Sequence, residues 1–258
     1  MRKCAPLILL FSLCGGGAGF LLRKYQLMTA YEPLSGLPAR GAQATILSNT
    51  LTLYFFLIVL AFAVFASLRY KTPADFENTF CVNAIIYPVV NVLIGGLLMC
   101  GAVMHLVNLR VAEILRTIDI YFVVILILAA ASIILSAVEL FQNPRHKFVY
   151  ALSIAPIAFL CFWLIMLYRA NAATPVLLEY VYPCLAIMFS TLSFHFTAGF
   201  LFGSPSSGKA IVAYCGTIYL CGAALAENFD TGIILIFCAL IAYAAIHLFM
   251  LTRTLQRK

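Results

Sequence analysis

The sequence predicts an all-α polytopic transmembrane helix bundle, and composition and segment length carry that prediction. Hydrophobic residues make up 64% of the chain and charged residues only 10%, against about 45–50% and 25% in soluble domains. Eight apolar runs are each long enough to cross a bilayer as a helix of about 20 residues. The predicted spans lie near residues 4–22, 46–68, 79–107, 120–141, 148–168, 176–202, 209–229 and 231–252.

The connections between the spans are too short to hold a separate catalytic domain. We therefore interpret residues 1–258 as one integral membrane domain that is not an enzyme. Its first partner is the lipid bilayer. The net charge of +7 is interpreted as topology signals and lipid headgroup contacts rather than as a nucleic-acid-binding surface.

The first span has the basic start and apolar centre of a signal peptide, and we expect it to remain as an uncleaved anchor. The segment that follows, residues 23–45, is the longest polar stretch between spans. Its turn-forming pairs Glu32-Pro33 and Ser35-Gly36 predict a folded extracytoplasmic loop on the membrane surface. A plain tether between two helices is the alternative.

The segment GFLLRKYQLMTAYEPLSGLPARGA, residues 19–42, resembles the first loop of a group of uncharacterised multi-pass membrane proteins from anaerobic Gram-positive bacteria. The resemblance covers this loop and its flanking helix. It implies a location in the bacterial plasma membrane and implies nothing about mechanism.

The second span is aromatic and nearly featureless, and it ends in basic and aromatic residues that anchor it at the interface. The third span carries polar side chains at helical spacing on one face, as well as Pro88. The sixth span adds hydroxyl groups at similar spacing. Polar side chains in a bilayer tend to face protein or a water-filled cavity. The candidate solute-binding residues are Asn83, Tyr87, Asn91, His105, Tyr182 and Ser190.

Two interpretations of these polar residues remain open. They form hydrogen-bonded contacts between helices, or they line a solute pathway. The pathway interpretation predicts that Tyr87, Asn91, His105 and Tyr182 face one enclosed cavity, with carbonyl groups freed by Pro88 and Pro183. After the third span, residues 108–119 (NLRVAEILRTID) predict either a helix extension or an interfacial amphipathic helix.

Spans 2–4 and 5–7 share a pattern that predicts an inverted repeat. Chance similarity of apolar helices is the alternative. The paired features are Thr72-Pro73 with Thr174-Pro175, Tyr87-Pro88 with Tyr182-Pro183, His105 with His195, and Glu139 with Glu227.

Three motifs point to specific chemistry less strongly. GSPSSGKA, residues 203–210, approaches a phosphate-binding loop but ends in Ala210 and lacks the preceding strand, so we interpret it as a tight turn. His195 and His247 are at similar predicted depth, which makes a bis-histidine haem b protein a remote alternative; otherwise no cofactor and no metal is expected. The nine cysteines show no paired spacing and mostly lie inside apolar runs, so we interpret them as free thiols that act as small hydrophobic residues rather than as a disulfide framework.

Ten Lys and Arg residues fall on one side of the predicted bundle and six on the other, which predicts that both termini are cytoplasmic. Arg23 and Lys24 are the local exception to this bias, because they directly follow the first span on the predicted outer side. The leading hypothesis is a small-solute or ion permease, or a transporter-like subunit, with a polar site between spans 3 and 6. The alternative is a non-catalytic assembly or sensory subunit that contacts a membrane protein partner through the 23–45 loop.

Overall fold

The computed structural model describes residues 5–31, 39, 42–71, 76–80, 86–142, 148–172 and 180–257. It confirms the predicted all-α bundle. Within the described residues, seven helices are long and apolar enough to cross a membrane. The helices are α1 (Ala5–Thr29), α2 (Gln43–Arg69), α3 (Phe76–Phe80), α4 (Ile86–Val111), α5 (Thr117–Gln142), α6 (Phe148–Leu152), α7 (Ile154–Asn171), α8 (Val181–Leu201), α9 (Ser207–Ala224) and α10 (Thr231–Thr254).

The remaining predicted span, 209–229, corresponds to α9, which has an interior position. Of its 18 residues, 15 are buried, and it packs against α1, α2, α8 and α10. A helix enclosed by other helices does not need an apolar surface for lipid. This explains why α9 can carry buried polar residues such as Ser207, Tyr214, Thr217 and Tyr219.

Five helices of the described chain, α4, α5, α7, α8 and α10, form a closed ring in which each packs against the next. We call this set the five-helix ring. Helices α1, α2 and α9 pack together beside it, and α9 contacts both α8 and α10. The ring surrounds the candidate functional site described below.

The two ends of the bundle are defined by chain direction. Helix α1 runs parallel to α9, since Ser12 meets Cys215 and Arg23 meets Glu227. Residues Tyr70–Lys71 (β1) pair antiparallel with Gln256–Arg257 (β2), which joins the end of α2 to the end of α10. We call this end the terminal end, and we call the opposite end, where α1 turns back into α2, the loop end.

Helix boundaries correct two expectations. Helix α1 continues to Thr29 and α2 begins at Gln43, so the predicted loop of residues 23–45 is shorter than expected and its first seven residues are helical. Pro88 and Pro183 each lie in the first turn of their helices, where a missing N–H removes no intrahelical bond. Within the described residues, both prolines therefore lie near the starts of their helices, and neither of the expected breaks at Tyr87-Pro88 and Tyr182-Pro183 interrupts α4 or α8.

Two close helix contacts depend on glycine. A Cβ atom on Gly222 of α9 would lie 2.7 Å from the carbonyl oxygen of Gly16 in α1. A Cβ atom on Gly232 of α10 would lie within 2.6 Å of backbone atoms of His105 in α4. In lipid, small residues of this kind let helix backbones approach closely, and the second contact sets the position of His105.

The packing bears partly on the predicted internal repeat. Helix α4 packs on α5 as α8 packs on α9, and α2 packs on α9 as α7 packs on α5. An inverted repeat of spans 2–4 and 5–7 relates α2 to α7, α4 to α8 and α5 to α9, and each of these two pairs of contacts matches that relation. Helix α7 also packs on α8, whereas α2 packs chiefly against α1 and α9. The repeat therefore stays a prediction.

Candidate functional site

A pocket with a volume of about 230 Å³ opens at the loop end of the five-helix ring. We call it the loop-end pocket. Its polar side chains include His105 of α4 and Asp119 of α5, and much of the remaining wall is aromatic or aliphatic. The aromatic members are Phe122, Trp163, Phe229 and Phe237.

His105 is held in place by the start of α10. Its Nδ1 atom lies 2.5 Å from Oδ2 of Asp230, and Oδ1 of Asp230 accepts a hydrogen bond of 2.8 Å from the N–H of Ile233. Asp230 therefore caps α10 and binds His105 with its two oxygens. Burial opposes ionisation of the Asp230 carboxyl, but the hydrogen bonds from His105 and the backbone outweigh it and lower its pKa.

Asp119, the other acidic group at this pocket, is fixed at the start of α5. Its carboxylate accepts a 2.9 Å hydrogen bond from the backbone N–H of Arg116. An acidic side chain in the first turn is favoured by the helix dipole, so the carboxylate is positioned without needing a basic side chain as partner. It faces the pocket, and one of its oxygens accepts this hydrogen bond from the backbone.

A second, smaller cavity of about 50 Å³ lies in the same ring toward the terminal end. We call it the terminal-end cavity. Polar residues of its wall include Tyr87 and Asn91 of α4, Thr197 of α8 and Tyr243 of α10. Residues of α3 and α6, including Phe76 and Leu152, lie over it.

His247 lies beside this cavity, fully buried among aromatic rings. Its Nδ1 atom is 2.8 Å from the carbonyl oxygen of Tyr243. Because a carbonyl only accepts, Nδ1 carries the proton, and Nε2 of the neutral ring accepts from the Tyr87 hydroxyl at 3.2 Å. Both ring nitrogens are therefore engaged by the protein.

A layer of apolar side chains separates the two cavities. Phe159 of α7 is buried between Pro156, which lines the terminal-end cavity, and Trp163, which lines the loop-end pocket. Its ring centroid lies 5.4 Å from that of Phe122 and 5.8 Å from that of Trp163. Pro156 and Trp163 are seven residues apart, so the layer is about 10 Å thick along α7.

Arg23 forms a polar cluster that the sequence did not predict. Its guanidinium is fully buried, lies 3.0 Å from Oε1 of Glu227, and donates to Gln26 at 3.0 Å. It also stacks over the ring of Tyr182 at 4.8 Å, and the Tyr182 hydroxyl lies 2.9 Å from that of Ser48. The cluster joins α1, α2 and α8 to the loop after α9.

The structure separates the sequence-predicted site residues. Asn83 lies outside the described residues. Tyr87 and Asn91 line the terminal-end cavity, while His105 lines the loop-end pocket, 18 residues and about 27 Å further along α4. Tyr182 belongs to the Arg23 cluster, and the Ser190 hydroxyl donates to the carbonyl of Ala186. The expectation of one enclosed cavity is therefore replaced by two cavities at different depths.

The remaining motifs also have positions in the structure. The side chain of His195 is exposed while His247 is buried, so the two imidazoles do not face each other across one gap, as a bis-histidine haem would require. The segment GSPSSGKA forms the turn between α8 and α9: Gly203 has φ +70°, and the N–H of Ser204 donates to the carbonyl of Gly199 at 2.9 Å.

No family model, no curated protein and no solved structure matches this chain. The class of protein is established by the fold itself. An all-α bundle with seven helices of membrane-spanning length and composition among its described residues is a multi-pass integral membrane protein.

Proposed function

We propose that the protein is a small-solute permease or a transporter-like subunit, in which the five-helix ring forms the solute pathway. The observation that carries the proposal is the presence of two cavities within one ring of helices. The loop-end pocket and the terminal-end cavity lie toward opposite ends of the same ring, and α4, α5, α7, α8 and α10 contribute to both. This arrangement suits a protein that opens to one side of the membrane at a time.

The cavities also modify the predicted site between spans 3 and 6. Helices α4 and α8, which are those spans, both contribute to the walls of the two cavities. In the proposed function, the solute binds first in the loop-end pocket beside His105. Tyr87 and Asn91 with Thr197 then form the second binding position, after the layer at Phe159 has parted.

The short helices α3 and α6 fit the role of a gate at the terminal end. Each is five residues long, and both contribute to the wall of the terminal-end cavity. Short helices make few internal hydrogen bonds and are held mainly by tertiary contacts. In the proposed function, the observed arrangement corresponds to the state that opens at the loop end.

We further propose that the terminal end is cytoplasmic and that the membrane is the bacterial plasma membrane. Arg23 is one of the six basic residues assigned to the opposite side. Because it is buried against Glu227, it is not a free charge in a loop, and the bias of Lys and Arg toward the terminal end becomes stronger. A reporter that works only in the cytoplasm should be active when fused after Lys258; activity of a periplasm-type reporter there would reverse the orientation.

Cysteine accessibility tests the pathway. In a variant whose native cysteines are replaced by Ala, Leu167→Cys in the loop-end pocket should react with a membrane-impermeant thiol reagent in intact cells, while Ser153→Cys at the terminal-end cavity should react only in inverted vesicles. Ile165→Cys is the control, because Ile165 is 59% exposed on the outer surface of α7 and should react from neither side. Protection of Leu167→Cys from both sides would contradict the proposal.

The alternative function, a non-catalytic assembly or sensory subunit, depends on the connection between α1 and α2. Residues 32–38 and 40–41 of that connection lie outside the described part of the chain. Since the cavities give the permease a residue-level basis, we retain the assembly role as the second candidate. A co-purifying membrane protein lost on replacement of residues 32–38, with no change in cysteine accessibility, would favour it.

A further inference from the structure

We propose that the loop-end pocket binds a small organic ammonium ion, an inference that rests on the proposed function and names its solute class. Three observations support it. The pocket is walled by aromatic rings from several elements, the one acidic residue among its described lining residues, Asp119, is fixed in position, and its volume suits a small molecule.

The aromatic wall is built from separate elements that meet around the pocket. Phe122 comes from α5, Trp163 from α7 and Phe237 from α10, with Phe229 from the loop before α10. Ring centroids lie 5.7 Å apart for Phe122 and Trp163, 5.2 Å for Trp163 and Phe237, and 5.6 Å for Phe229 and Phe237. Rings at these distances pack against one another and form one continuous aromatic wall of the pocket. Aromatic surface of this kind is what recognises quaternary ammonium groups.

The charges favour a cation over an anion. Asp119 lines the pocket, and Asp230 lies directly behind His105. Among the described lining residues there is no Lys or Arg. The nearby Arg116 meets Asp119 through its backbone N–H, and its side chain is exposed. The one imidazole among the described lining residues, His105, is already paired with Asp230. An anionic solute would therefore meet the carboxylate of Asp119 without a basic partner of its own.

The same geometry argues against a metal ion as the solute bound in this pocket. Hard cations require several oxygen ligands at short distance, and within the described residues no group of three His, Cys, Asp or Glu side chains is placed to hold one. An organic ammonium ion needs one carboxylate and aromatic surface instead. The volume of about 230 Å³ is below the roughly 300–1,000 Å³ of pockets that take drug-sized ligands, so the solute is small.

The chain provides its own reporter for this site. Trp163 is the single tryptophan of the sequence, so the intrinsic tryptophan fluorescence of the purified full-length protein reports on this pocket alone. Choline is the probe, and its uncharged isostere 3,3-dimethyl-1-butanol is the matched control. We expect a saturable fluorescence change with choline, and an affinity for the isostere that is weaker by about tenfold or more, the factor that corresponds to about 1.4 kcal/mol.

Two variants assign the effect to the pocket. Asp119→Asn keeps the shape and removes the charge, so it should weaken choline binding while leaving the weak response to the isostere unchanged. Phe237→Leu removes an aromatic face and should weaken choline binding further. Ile165→Ala, on the outer surface of the same helix as Trp163, should bind choline as the unmodified protein does. All variants should elute as monodisperse, folded protein.

The possible outcomes distinguish this inference from the proposed function. An equal response to choline and its isostere, no response to choline, or full choline affinity in Asp119→Asn would overturn the ammonium assignment. If in that case Leu167→Cys still reacts from one side of the membrane, the permease proposal stands with another solute. If Leu167→Cys is also protected from both sides, the permease proposal fails as well.

Discussion

Among single residues, Arg23 shows what a sequence pattern can conceal. The sequence places it directly after an apolar run, where a basic residue usually marks the end of a span. In the structure α1 continues past it to Thr29, and the guanidinium is buried against Glu227, 204 residues later in the chain. The pairing depends on tertiary packing of α1 and α9, which local hydropathy cannot predict.

Replacing Glu227 tests how far this ion pair stabilises the bundle. Glu227→Gln removes the carboxylate charge that faces the buried guanidinium and should destabilise the folded protein by about 3–5 kcal/mol. The double variant Arg23→Met with Glu227→Met should be destabilised by less than the sum of the losses in the single variants Arg23→Met and Glu227→Met, because neither charge of the pair remains. Thermal unfolding in detergent measures both effects.

The control for this experiment is the next residue in the chain. Lys24 is exposed, so Lys24→Met removes a charge of the same sign as Arg23 without breaking a buried contact and should change stability little. If Lys24→Met destabilises the fold as much as Arg23→Met does, the loss of one positive charge explains the effect and the buried contact with Glu227 does not.

The hydrogen bonds of Asp230 predict that the stability of the fold depends on pH in the acid range. Its pKa in the folded protein is lowered, because the hydrogen bonds from His105 and the backbone outweigh the opposing effect of burial. A carboxyl with a depressed folded pKa stabilises the fold above its unfolded pKa of about 3.9, and this stabilisation is lost as pH falls through the folded value. Stability should therefore decline below about pH 4 in part through this group.

Two substitutions separate the roles of Asp230. Asp230→Asn keeps a capping oxygen for the N–H of Ile233 and should flatten the acid-dependent loss. Asp230→Ala removes the cap as well and should cost about 1 kcal/mol more. Unfolding midpoints measured from about pH 3 to about pH 7 give the difference; an unchanged acid profile in Asp230→Asn would contradict the assignment.

At the level of helices, the sequence predicted the existence and order of the long helices well and their ends less well. Span length and hydropathy determine existence, because only a helix satisfies its backbone within lipid. The ends of a helix depend on the elements that pack against it. The sequence pattern puts Pro88 and Pro183 inside helices, yet both lie in first turns, because α4 begins at Ile86 and α8 at Val181. Apolar residues before each proline conceal these boundaries.

The contact between α1 and α9 is sensitive to a single added methyl group. In Gly222→Ala, the new Cβ atom would lie 2.7 Å from the carbonyl oxygen and 2.9 Å from the Cα of Gly16. Since both neighbours are backbone atoms, the helices must separate, and we expect a loss of about 1–3 kcal/mol. Gly17→Ala is the matched control on α1, since nothing lies within 4 Å of its Cβ position and Ala favours the helix. Equal thermal midpoints for the two variants would contradict close packing at this crossing.

For the molecule as a whole, the sequence predicted that spans 3 and 6 share a polar site, and this stays a prediction. The sequence did not predict how deep the polar groups lie. Helices α4 and α8, which are those spans, contribute residues to the walls of both cavities. Helical periodicity places Tyr87 and His105 on one face, but it carries no information on whether one cavity reaches both. The ring is closed by α5, α7 and α10, and the aromatic wall comes from these helices, whose apolar residues carry no polar signal. The position of Trp163 and Phe237 in the pocket wall therefore emerged only from tertiary structure.

The apolar layer between the cavities should act as a permeability barrier. Phe159 is 3% exposed and packs between Phe122 and Trp163. Phe159→Ala removes its ring from a barrier about 10 Å thick, so proteoliposomes that contain this variant should leak small ions or solutes faster than those with the unmodified protein.

Because a buried Phe→Ala change costs about 3–5 kcal/mol of stability, Phe159→Leu serves as a milder second variant with an intermediate leak. Ile165→Ala, which faces outward on the same helix, should leave permeability unchanged. If folded Phe159→Ala protein is as tight as the Ile165→Ala control, this layer does not separate two parts of one pathway, and the ring is then a packed structural core.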